Sequence, residues 1–517
     1  MEAMKKTALR FTWKSPEDMT LEEKLGQMFV TGFPEGEMDD SFIRLVKEYK
    51  VGNVILFKEN LSGREQIKGL CSDIQSLMEQ ETGAPAFITI DEEGGIVSRL
   101  PDSLGKMPSA MALSSLGSEE KLYEAALLSG KQLAQLGVNF NLAPVLDVNS
   151  NPGNPVIGIR SYGADAETVW KYAKETVKGY RDAGVLCSGK HFPGHGDTVV
   201  DSHLALPTSE KSERELGELE LIPFQRAVDL GIPAITIAHV VYEQLDSVPA
   251  TMSRKIVSGL LREKMGFDGL IISDCMEMNA ISSEYGIERG VAAAVAAGIE
   301  LIFISHRHDK VKSAIETLRR EITEGRISME LIDAAVGKIL DFKKKYLGAP
   351  VSEDETVFAR CSTFAEKVFL EGIREGKCGG DSFVLGEKPC FIAPRQTQVS
   401  QVSNAVRAFS FAEEMKKAFG GSAVEISLRP TQEEIESALC AARGATAVVI
   451  GTLNATVYQG QSKLLHMLED TGLPMACVTL RNPFELRGLR ADVFAVPAYE
   501  YSARAVEAVK EFFITER

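Results

Sequence analysis

The 517-residue sequence predicts a (β/α)8 barrel of the TIM type followed by a smaller α/β sandwich domain. Three observations support this fold class. Eight short apolar runs alternate with helical patterns between residues 25 and 304, a helix stop signal follows near residue 348, and a second alternation of apolar runs begins near residue 383. Strands that alternate with helices form parallel sheets, and eight such repeats in this length are typical of the closed barrel.

The eight apolar runs are the predicted strands of the barrel. The segments between most of them carry apolar residues at the 3.6-residue spacing of an amphipathic helix, as in Glu167–Ala183 and Glu213–Leu230. An open, doubly wound parallel sheet is the alternative that the alternation by itself allows. The predicted strands are Leu25–Phe33, Val51–Phe57, Ala86–Ile90, Val138–Leu142, Val185–Ser188, Pro233–Ala238, Gly269–Ser273 and Glu300–Ile304.

The chain after the eighth run divides into a linker and a second domain. Ile332–Tyr346 has the pattern of an amphipathic helix, and the Gly and Pro that follow it form a helix stop signal. We predict a catalytic barrel domain over residues 1–348, a linker with the helix Phe364–Gly376 over residues 349–382, and a sandwich domain over residues 383–517. The strands predicted for this last domain are Cys390–Ala393, Val424–Leu428, Ala447–Leu453, Met475–Leu480 and Val493–Val496.

Composition excludes several classes of protein. The 57 Lys and Arg against 73 Asp and Glu leave a formal charge of −16, which disfavours a duplex nucleic-acid-binding protein that needs cations on phosphates. The eight cysteines form no CxxC pair, which predicts free thiols in a reducing compartment. We find no apolar signal-peptide core near the start and no stretch close to the ~20 apolar residues of a membrane span. We therefore expect a cytoplasmic protein that needs no cofactor and has no nucleic-acid or membrane partner.

Polar residues follow the predicted strands where one mouth of the barrel is expected. In barrels of this type the functional residues come from the carboxyl ends of several strands, so these side chains are expected to share one site. Charged groups directly after buried strands are otherwise costly. The residues concerned are Asp91, Asp147, Lys190, His191, His239 and Asp274.

The segment from Lys190 to Pro207 is the most informative part of the sequence. It holds three of the seven histidines, and its Pro and Gly residues are typical of an irregular loop. In Asp201-Ser202-His203 an extended backbone places the carboxylate and the imidazole on one side. A carboxylate that accepts a ring N–H sets the tautomer and raises the pKa of the imidazole, as a histidine acid/base requires. His195 and Asp197 are interpreted as residues that stabilise the loop.

This loop resembles the signature of the β-N-acetylglucosaminidases of glycoside hydrolase family 3. The match consists of Lys190–Asp197 with Thr198, then Asp201-Ser202-His203 and Leu206-Pro207. The second domain is similar to the family's C-terminal domain, less specifically, through Arg481-Asn482-Pro483 and Gly460-Gln461. Other segments that carry the resemblance, in the family's order, are Gly52–Phe57, Asp91–Gly95, Asn141–Pro155, Val156–Gly163, Pro249–Ser253 and Gly269–Asp274.

The resemblance implies a role for each matching residue. Asp274 matches the nucleophile after the seventh strand, and Asp201 with His203 matches the pair that replaces a carboxylic acid/base in this branch of the family. The residues implied in substrate binding are Asp91, Arg160, Lys190 and His191, with Asp147 and His239 as supporting residues. No metal ligand is implied. Glu92 and Glu93 receive no role.

Three positions depart from the family pattern. Ile96 stands where an arginine commonly follows two glycines, Lys58-Glu59 precedes Asn60 where an arginine is common, and Cys275 follows the nucleophile where alanine is usual. These departures leave the implied chemistry intact and concern the substrate subsites.

The resemblance implies a retaining exo-β-N-acetylglucosaminidase, a β-N-acetylhexosaminidase that releases N-acetylglucosamine through a covalent glycosyl-enzyme. Peptidoglycan recycling fragments are the first expected substrate and chitooligosaccharides the second. Phosphorolysis is an alternative, because a neutral imidazole does not repel phosphate as a carboxylate would. Two other classes stay open at this point. The spacing of His191 and His195 suits a metal-dependent barrel hydrolase, and a non-catalytic sugar-binding protein would also present sugar-binding residues.

Overall fold

The computed structural model describes residues 11–198, 200–202, 205–347, 354–380, 382–396 and 409–515. Eight parallel strands close a barrel, and a six-stranded sheet forms a second domain. Both parts of the predicted fold class are therefore confirmed. Within these ranges no helix combines the length and the apolar character that a membrane crossing needs.

The barrel closes because its first strand pairs on both sides. Val30 is in register with Asn53 of the second strand and with Phe303 of the eighth. The open sheet is excluded by this closure, and the strands follow one another around the barrel in chain order. The barrel strands are β1 Phe29–Thr31, β2 Asn53–Leu56, β3 Ile88–Ile90, β4 Phe140–Asn141, β5 Leu186–Phe192, β6 Ala234–Ile237, β7 Leu270–Cys275 and β8 Leu301–Phe303.

Helices surround the barrel and bury its outer face. The two 18-residue helices Glu119–Leu136 and Ala166–Ala183 pack side by side, and each begins at a polar residue, Ser118 or Asp165, whose side chain accepts a backbone N–H of the first turn. The remaining helices around the barrel are Leu21–Gln27, Asp40–Tyr49, Arg64–Glu81, Ala110–Ser114, Glu213–Glu218, Leu221–Leu230, Asn279–Ser282, Ile287–Ala297, His308–Thr323, Met329–Tyr346 and the π-type helix Lys255–Lys264.

Three element predictions in the barrel are wrong in their bounds. The fifth strand extends beyond the predicted end at Ser188 to Phe192, because Phe192 still pairs with Ile237 of β6. The first strand begins at Phe29, because the preceding residues complete a helix whose start is capped by Thr20 and Glu23. The helical pattern Glu213–Leu230 is interrupted after Glu218. Proline lacks a backbone N–H and is tolerated only in a first turn, so Pro223 requires a new helix to begin shortly before it, at Leu221.

The second domain is a mostly parallel sheet covered by helices. Its first strand, Cys378–Gly379, was not predicted because two residues carry no periodicity, and it is antiparallel to its neighbour. The sheet order is β9-β14-β13-β12-β10-β11, with β9 Cys378–Gly379, β10 Cys390–Pro394, β11 Ser422–Ile426, β12 Val448–Thr452, β13 Met475–Thr479 and β14 Phe494–Pro497. Its helices are Phe411–Phe419, Gln432–Ala442, Gln459–Glu469 and Ala503–Thr515.

The helix Val357–Gly376 joins the two domains. It packs on Glu119–Leu136 of the barrel domain and on Ala503–Thr515 of the second. Close to it, Arg504 donates to the backbone carbonyls of Lys106 and Met107 in a barrel loop. A small apolar cluster also crosses the boundary; it consists of Met111, Ala112, Ile159, Tyr499, Ile96 and Phe484. The second domain is therefore docked against the mouth side of the barrel, where loops 94–112 and 149–160 lie.

Candidate active site

A cavity of about 450 Å³ lies at the carboxyl ends of the barrel strands. Five of the residues predicted for substrate binding or catalysis line it together. They come from different strands and loops, as the barrel fold requires of a shared site. These five residues are Asp91, Arg160, Lys190, His191 and Asp274.

Asp274 lies near the end of β7, where His239 bonds the backbone of the next residue. Its Oδ1 accepts the backbone N–H of Cys275 at 2.8 Å. The carbonyl of Cys275 lies 3.0 Å from Nε2 of His239, and because a carbonyl only accepts, this ring nitrogen carries a hydrogen. The other ring nitrogen is 2.7 Å from the hydroxyl of Thr251. His239 therefore fixes the strand end that carries Asp274, and it is buried outside the cavity wall.

Four charged side chains form a network at the cavity: Asp91, Arg160 and Lys190 line it, and Glu93 pairs with two of them. Arg160 donates from Nε and Nη2 to the two oxygens of Glu93, both at 2.8 Å. Lys190 Nζ lies 2.6 Å from Glu93 Oε1 and 2.9 Å from Asp91 Oδ1. Arg99 adds a longer ion pair to Asp91 at 3.6 Å. Each carboxylate thus meets at least two cations, and the side chains of Arg160 and Lys190 are almost fully buried.

The network decides the charge of its members. Burial by itself would raise the pKa of Glu93, but Arg160 and Lys190 outweigh it and hold that pKa far below its usual range. For Asp91 the same opposition leaves the pKa lowered, through Lys190 and then Arg99. Burial lowers the pKa of Lys190, while Asp91 and Glu93 raise it and prevail. All three groups are therefore ionised at neutral pH.

Glu93 is the member that the sequence did not assign. The available signal was its position in the acidic turn Asp91-Glu92-Glu93 after β3. A solvent-exposed acidic turn was the alternative interpretation of the same residues. Glu92, in contrast, is turned away from the cation network: its carboxylate accepts the backbone N–H groups of Arg99 and Leu100, and burial raises its pKa. Glu92 thus stabilises the loop through its backbone N–H partners, and Glu93 pairs with the two cations.

Asp147 holds two histidines from beneath the cavity wall. Its Oδ2 lies 2.7 Å from Nδ1 of His191 and 3.2 Å from the backbone nitrogen of the same residue. Its Oδ1 accepts the backbone N–H of His195 at 2.6 Å. Nε2 of His191 is 3.3 Å from Nη2 of Arg160, which only donates, so the hydrogen of this ring is on Nδ1. Asp147 thus orients a cavity residue and anchors the loop that follows β5.

His195 organises the loop that contains Asp201. Its ring Nδ1 is 2.6 Å from Thr198 Oγ1, and its Nε2 is 3.2 Å from Ser202 Oγ. Burial lowers the pKa of His195 to about 4, with a further contribution from His191, so the ring is neutral at pH 7. Since the hydroxyl of Thr198 donates to the carbonyl of His195, ring Nδ1 donates to Thr198 and Nε2 accepts from Ser202. The predicted loop-stabilising role of His195 agrees with these contacts.

Of the predicted acid/base pair, only Asp201 lies within the described residues. Asp201 is buried and Ser202 lines the cavity, so the loop borders the site. His203 lies outside the described residues, and its pairing with Asp201 stays a prediction. Gly196 lets the loop approach the loop that follows β4: a Cβ there would lie 1.8 Å from the carbonyl oxygen of Val148.

The opposite lining of the cavity is partly aromatic. The rings of Phe57 and His306 are 4.5 Å apart, and Glu277 accepts the backbone N–H of His306 at 2.7 Å. Cys275 also lines the cavity, and burial raises its pKa to about 12, so it is a neutral thiol. Among the residues that the structure describes, no three His, Cys, Asp or Glu side chains are grouped as metal ligands.

Comparison with known proteins relates the chain to carbohydrate-cleaving enzymes. Residues 20–342 match the model of the glycosyl hydrolase family 3 N-terminal domain. A β-hexosaminidase of Thiobacillus denitrificans is 33% identical over 288 residues, which cover 54% of this chain and 79% of that protein. β-Hexosaminidase A of Pseudoalteromonas piscicida is 33% identical over 327 residues, 58% of this chain, and the match spans only 54% of that relative's length.

A solved structure covers both domains. The glycoside hydrolase family 3 β-N-acetylglucosaminidase from Paenibacillus sp. str. FPU-7 superposes with a TM-score of 0.86 at 35% sequence identity. The superposition covers 96% of this chain and 97% of that one. The two-domain arrangement is therefore shared with this neighbour.

The buried position of Glu93 predicts a large loss of stability in Glu93→Gln. The neutral amide leaves two buried cations with one anion fewer, and breaking a buried pair in this way costs about 3–5 kcal/mol. Denaturant unfolding at pH 7, followed by tryptophan fluorescence, measures it, because both tryptophans, Trp13 and Trp170, belong to the barrel domain.

The matched control is Glu167→Gln. Glu167 also bonds an arginine, Arg226, through both oxygens, but on the surface, where such a pair contributes ~0–1 kcal/mol. Similar small losses in both variants would contradict the central role given to Glu93.

Proposed function

Because the chain belongs to glycosyl hydrolase family 3 and is a glycoside hydrolase of the β-hexosaminidase type, we propose that it is a retaining exo-β-N-acetylglucosaminidase. One observation carries the proposal: Asp274 lines a single cavity together with Asp91, Arg160 and Lys190, and Glu93 pairs with the last two. A retaining enzyme needs a carboxylate nucleophile beside a sugar-binding site, and this cavity offers both.

The charged network suits the hydroxyl groups of one terminal sugar. Asp91 can accept from hydroxyls, while Lys190 and Arg160 can donate to them, and hydrogen bonds with an ionised partner are stronger than neutral ones. Because these side chains are already held by one another, little side-chain freedom is lost when a sugar binds. A cavity of about 450 Å³ at the barrel mouth suits one terminal sugar, which favours removal of a sugar from a chain end.

In the proposed mechanism Asp274 attacks C1 of the sugar and forms a glycosyl-enzyme. Its carboxylate is presented by the N–H of Cys275 and by the strand end that His239 fixes. No participation by the substrate's N-acetyl group is needed when the protein supplies the nucleophile.

His203 is proposed as the acid/base, assisted by Asp201. Protonated His203 gives its proton to the leaving oxygen, and the neutral ring then accepts a proton from the water that hydrolyses the intermediate. The loop contacts of His195, Thr198 and Ser202 support this role, because a proton donor must be held in place to contribute its typical ~10²–10⁴-fold.

The substrates that we propose are peptidoglycan fragments with N-acetylglucosamine at the chain end, and chitooligosaccharides. A cytoplasmic location is part of the proposal, and the eight free cysteines support it, since disulfides are rare in that reducing compartment.

Product analysis on an aryl N-acetyl-β-glucosaminide tests the proposed function. We expect β-N-acetylglucosamine as the first product by NMR, in phosphate buffer and without phosphate, because water completes a double displacement. A sugar 1-phosphate would instead identify a phosphorylase. Release of α-N-acetylglucosamine as the first product would identify an inverting enzyme. Binding of N-acetylglucosamine without turnover would identify a sugar-binding protein. Loss of turnover with a chelator, followed by its recovery with zinc, would identify a metal-dependent hydrolase.

Asp274→Ala should form no covalent adduct with an N-acetylglucosaminyl fluoride that carries a second fluorine at C5. Such a substrate accumulates as a glycosyl-enzyme, which intact-protein mass spectrometry detects, and kcat on ordinary substrates should fall on the order of 10⁴–10⁶-fold. Glu277→Gln, which alters another acid on the same cavity wall, is the control and should still be labelled. An adduct on the Asp274→Ala protein would place the nucleophile elsewhere.

His203→Ala should lose much more rate on a poor leaving group than on an activated one. A phenolate that leaves readily needs no proton, so the ~10²–10⁴-fold contribution of the acid is lost only on poor leaving groups. Glu277→Gln is the control: Glu277 lines the cavity and accepts the backbone N–H of His306 rather than a group of the acid/base loop, so this variant should slow both substrates equally. Equal losses in His203→Ala would remove His203 as the acid.

A further inference from the structure

The segment Arg481-Asn482 of the second domain reaches the mouth of the barrel. It follows β13, and both side chains are buried. Asn482 Oδ1 accepts the backbone N–H of Ile159 at 3.0 Å. Gly158 leaves room for this contact: its φ is +47°, and a Cβ there would lie 2.3 Å from Asn482 Oδ1. The barrel loop is thus shaped to receive a side chain from the other domain.

The contacted loop in turn holds the loop that precedes Asp201. Asn154 Oδ1 accepts the backbone N–H groups of Val156 and Ile157. Its Nδ2 donates to the carbonyls of His195 and Thr198, both at 2.9 Å. One short path of hydrogen bonds therefore runs from the second domain, through loop 154–159, to the loop that contains the proposed acid/base.

Arg481 brings a buried positive charge to the same place. Its electrostatic neighbours are Tyr458 of its own domain and Arg160 and Asp201 of the barrel. Burial lowers the pKa of Arg481 to about 10, Tyr458 opposes that effect, Arg160 adds to it and Asp201 opposes it, so the guanidinium stays charged at pH 7. A buried cation within electrostatic range of Asp201 favours the ionised carboxylate that a histidine acid/base needs as its partner. The geometric link to the same loop is the neighbouring Asn482, through its bond to Ile159.

We infer that Arg481 and Asn482 are positioning residues for the acid/base loop, so that the second domain completes the active site of the barrel. Asn482 fixes the position of loop 154–159, and Arg481 compensates the charge of Asp201. Neither residue lines the cavity. The inference rests on the proposed function, because it assigns a role to the proton donor of that reaction.

The test compares Arg481→Met and Asn482→Ala in the full-length chain on two aryl N-acetylglucosaminides, one with a dinitrophenolate and one with a poor leaving group. A misplaced proton donor slows only the substrate that needs protonation. We expect kcat on the poor leaving group to fall at least about ten-fold and kcat on the activated one less than about three-fold. Arg481→Lys keeps the charge and should recover most of the loss caused by Arg481→Met.

Arg504→Met is the matched control. Arg504 also crosses the domain boundary, but it donates to the carbonyls of Lys106 and Met107, away from the acid/base loop. Its replacement should change both substrates by the same factor. If Arg481→Met does not yield folded protein, as judged by its thermal unfolding, Arg481→Gln carries the same expectation.

Two results would overturn the inference. Equal losses on both leaving groups in Arg481→Met would reduce Arg481 to a residue of domain docking. A rise in KM confined to substrates with an anionic aglycone would make it a substrate-binding residue. Failure of the proposed function is a separate outcome: then the wild type would not turn over, or His203→Ala would show no leaving-group selectivity.

Discussion

The site depends on the carboxylate of Glu93, which pairs with two buried cations. Arg160 and Lys190 have almost no exposed surface; without Glu93, Arg160 would lose its carboxylate partner and Lys190 one of its two. A buried charge that loses its partner costs several kcal/mol. Once paired, the same charges are held in place at the cavity. Because they are buried, little water must be removed from them when a sugar binds. The stability of the barrel mouth and its capacity to bind hydroxyl groups therefore have the same origin.

Asp147 extends this arrangement to the neighbouring strand. It is completely buried, and it satisfies both of its oxygens with the ring and backbone of His191 and the backbone of His195. Burial raises its pKa, but His191 and then His195 outweigh that effect and keep the pKa low. One ionised side chain thus sets the orientation of a cavity residue and the start of the loop that leads to Asp201.

The two domains meet where catalysis is proposed. The barrel supplies the proposed nucleophile and the charged network from its own strands and loops. The loop proposed for proton transfer is linked to the second domain through loop 154–159 and Asn482. The position of a loop is decided by what packs against it. The proposed role of the second domain in the reaction therefore needs none of its described residues on the cavity wall.

The sequence by itself determined the barrel, the second domain and five residues of the cavity wall, because strand and helix periodicity is local and the carboxyl ends of parallel strands must meet. It also singled out Asp274 and the loop to Pro207 by residue type and spacing. It misplaced the first strand and missed the break before Pro223, where capping and proline geometry override the apolar pattern. Only the tertiary structure decided that Glu93 rather than Glu92 pairs with the cations, that His239 bonds the carbonyl of Cys275 next to Asp274, and that Asn482 reaches Ile159 across the domain boundary. These facts depend on which groups, distant in sequence, share a buried volume, and no local pattern encodes that.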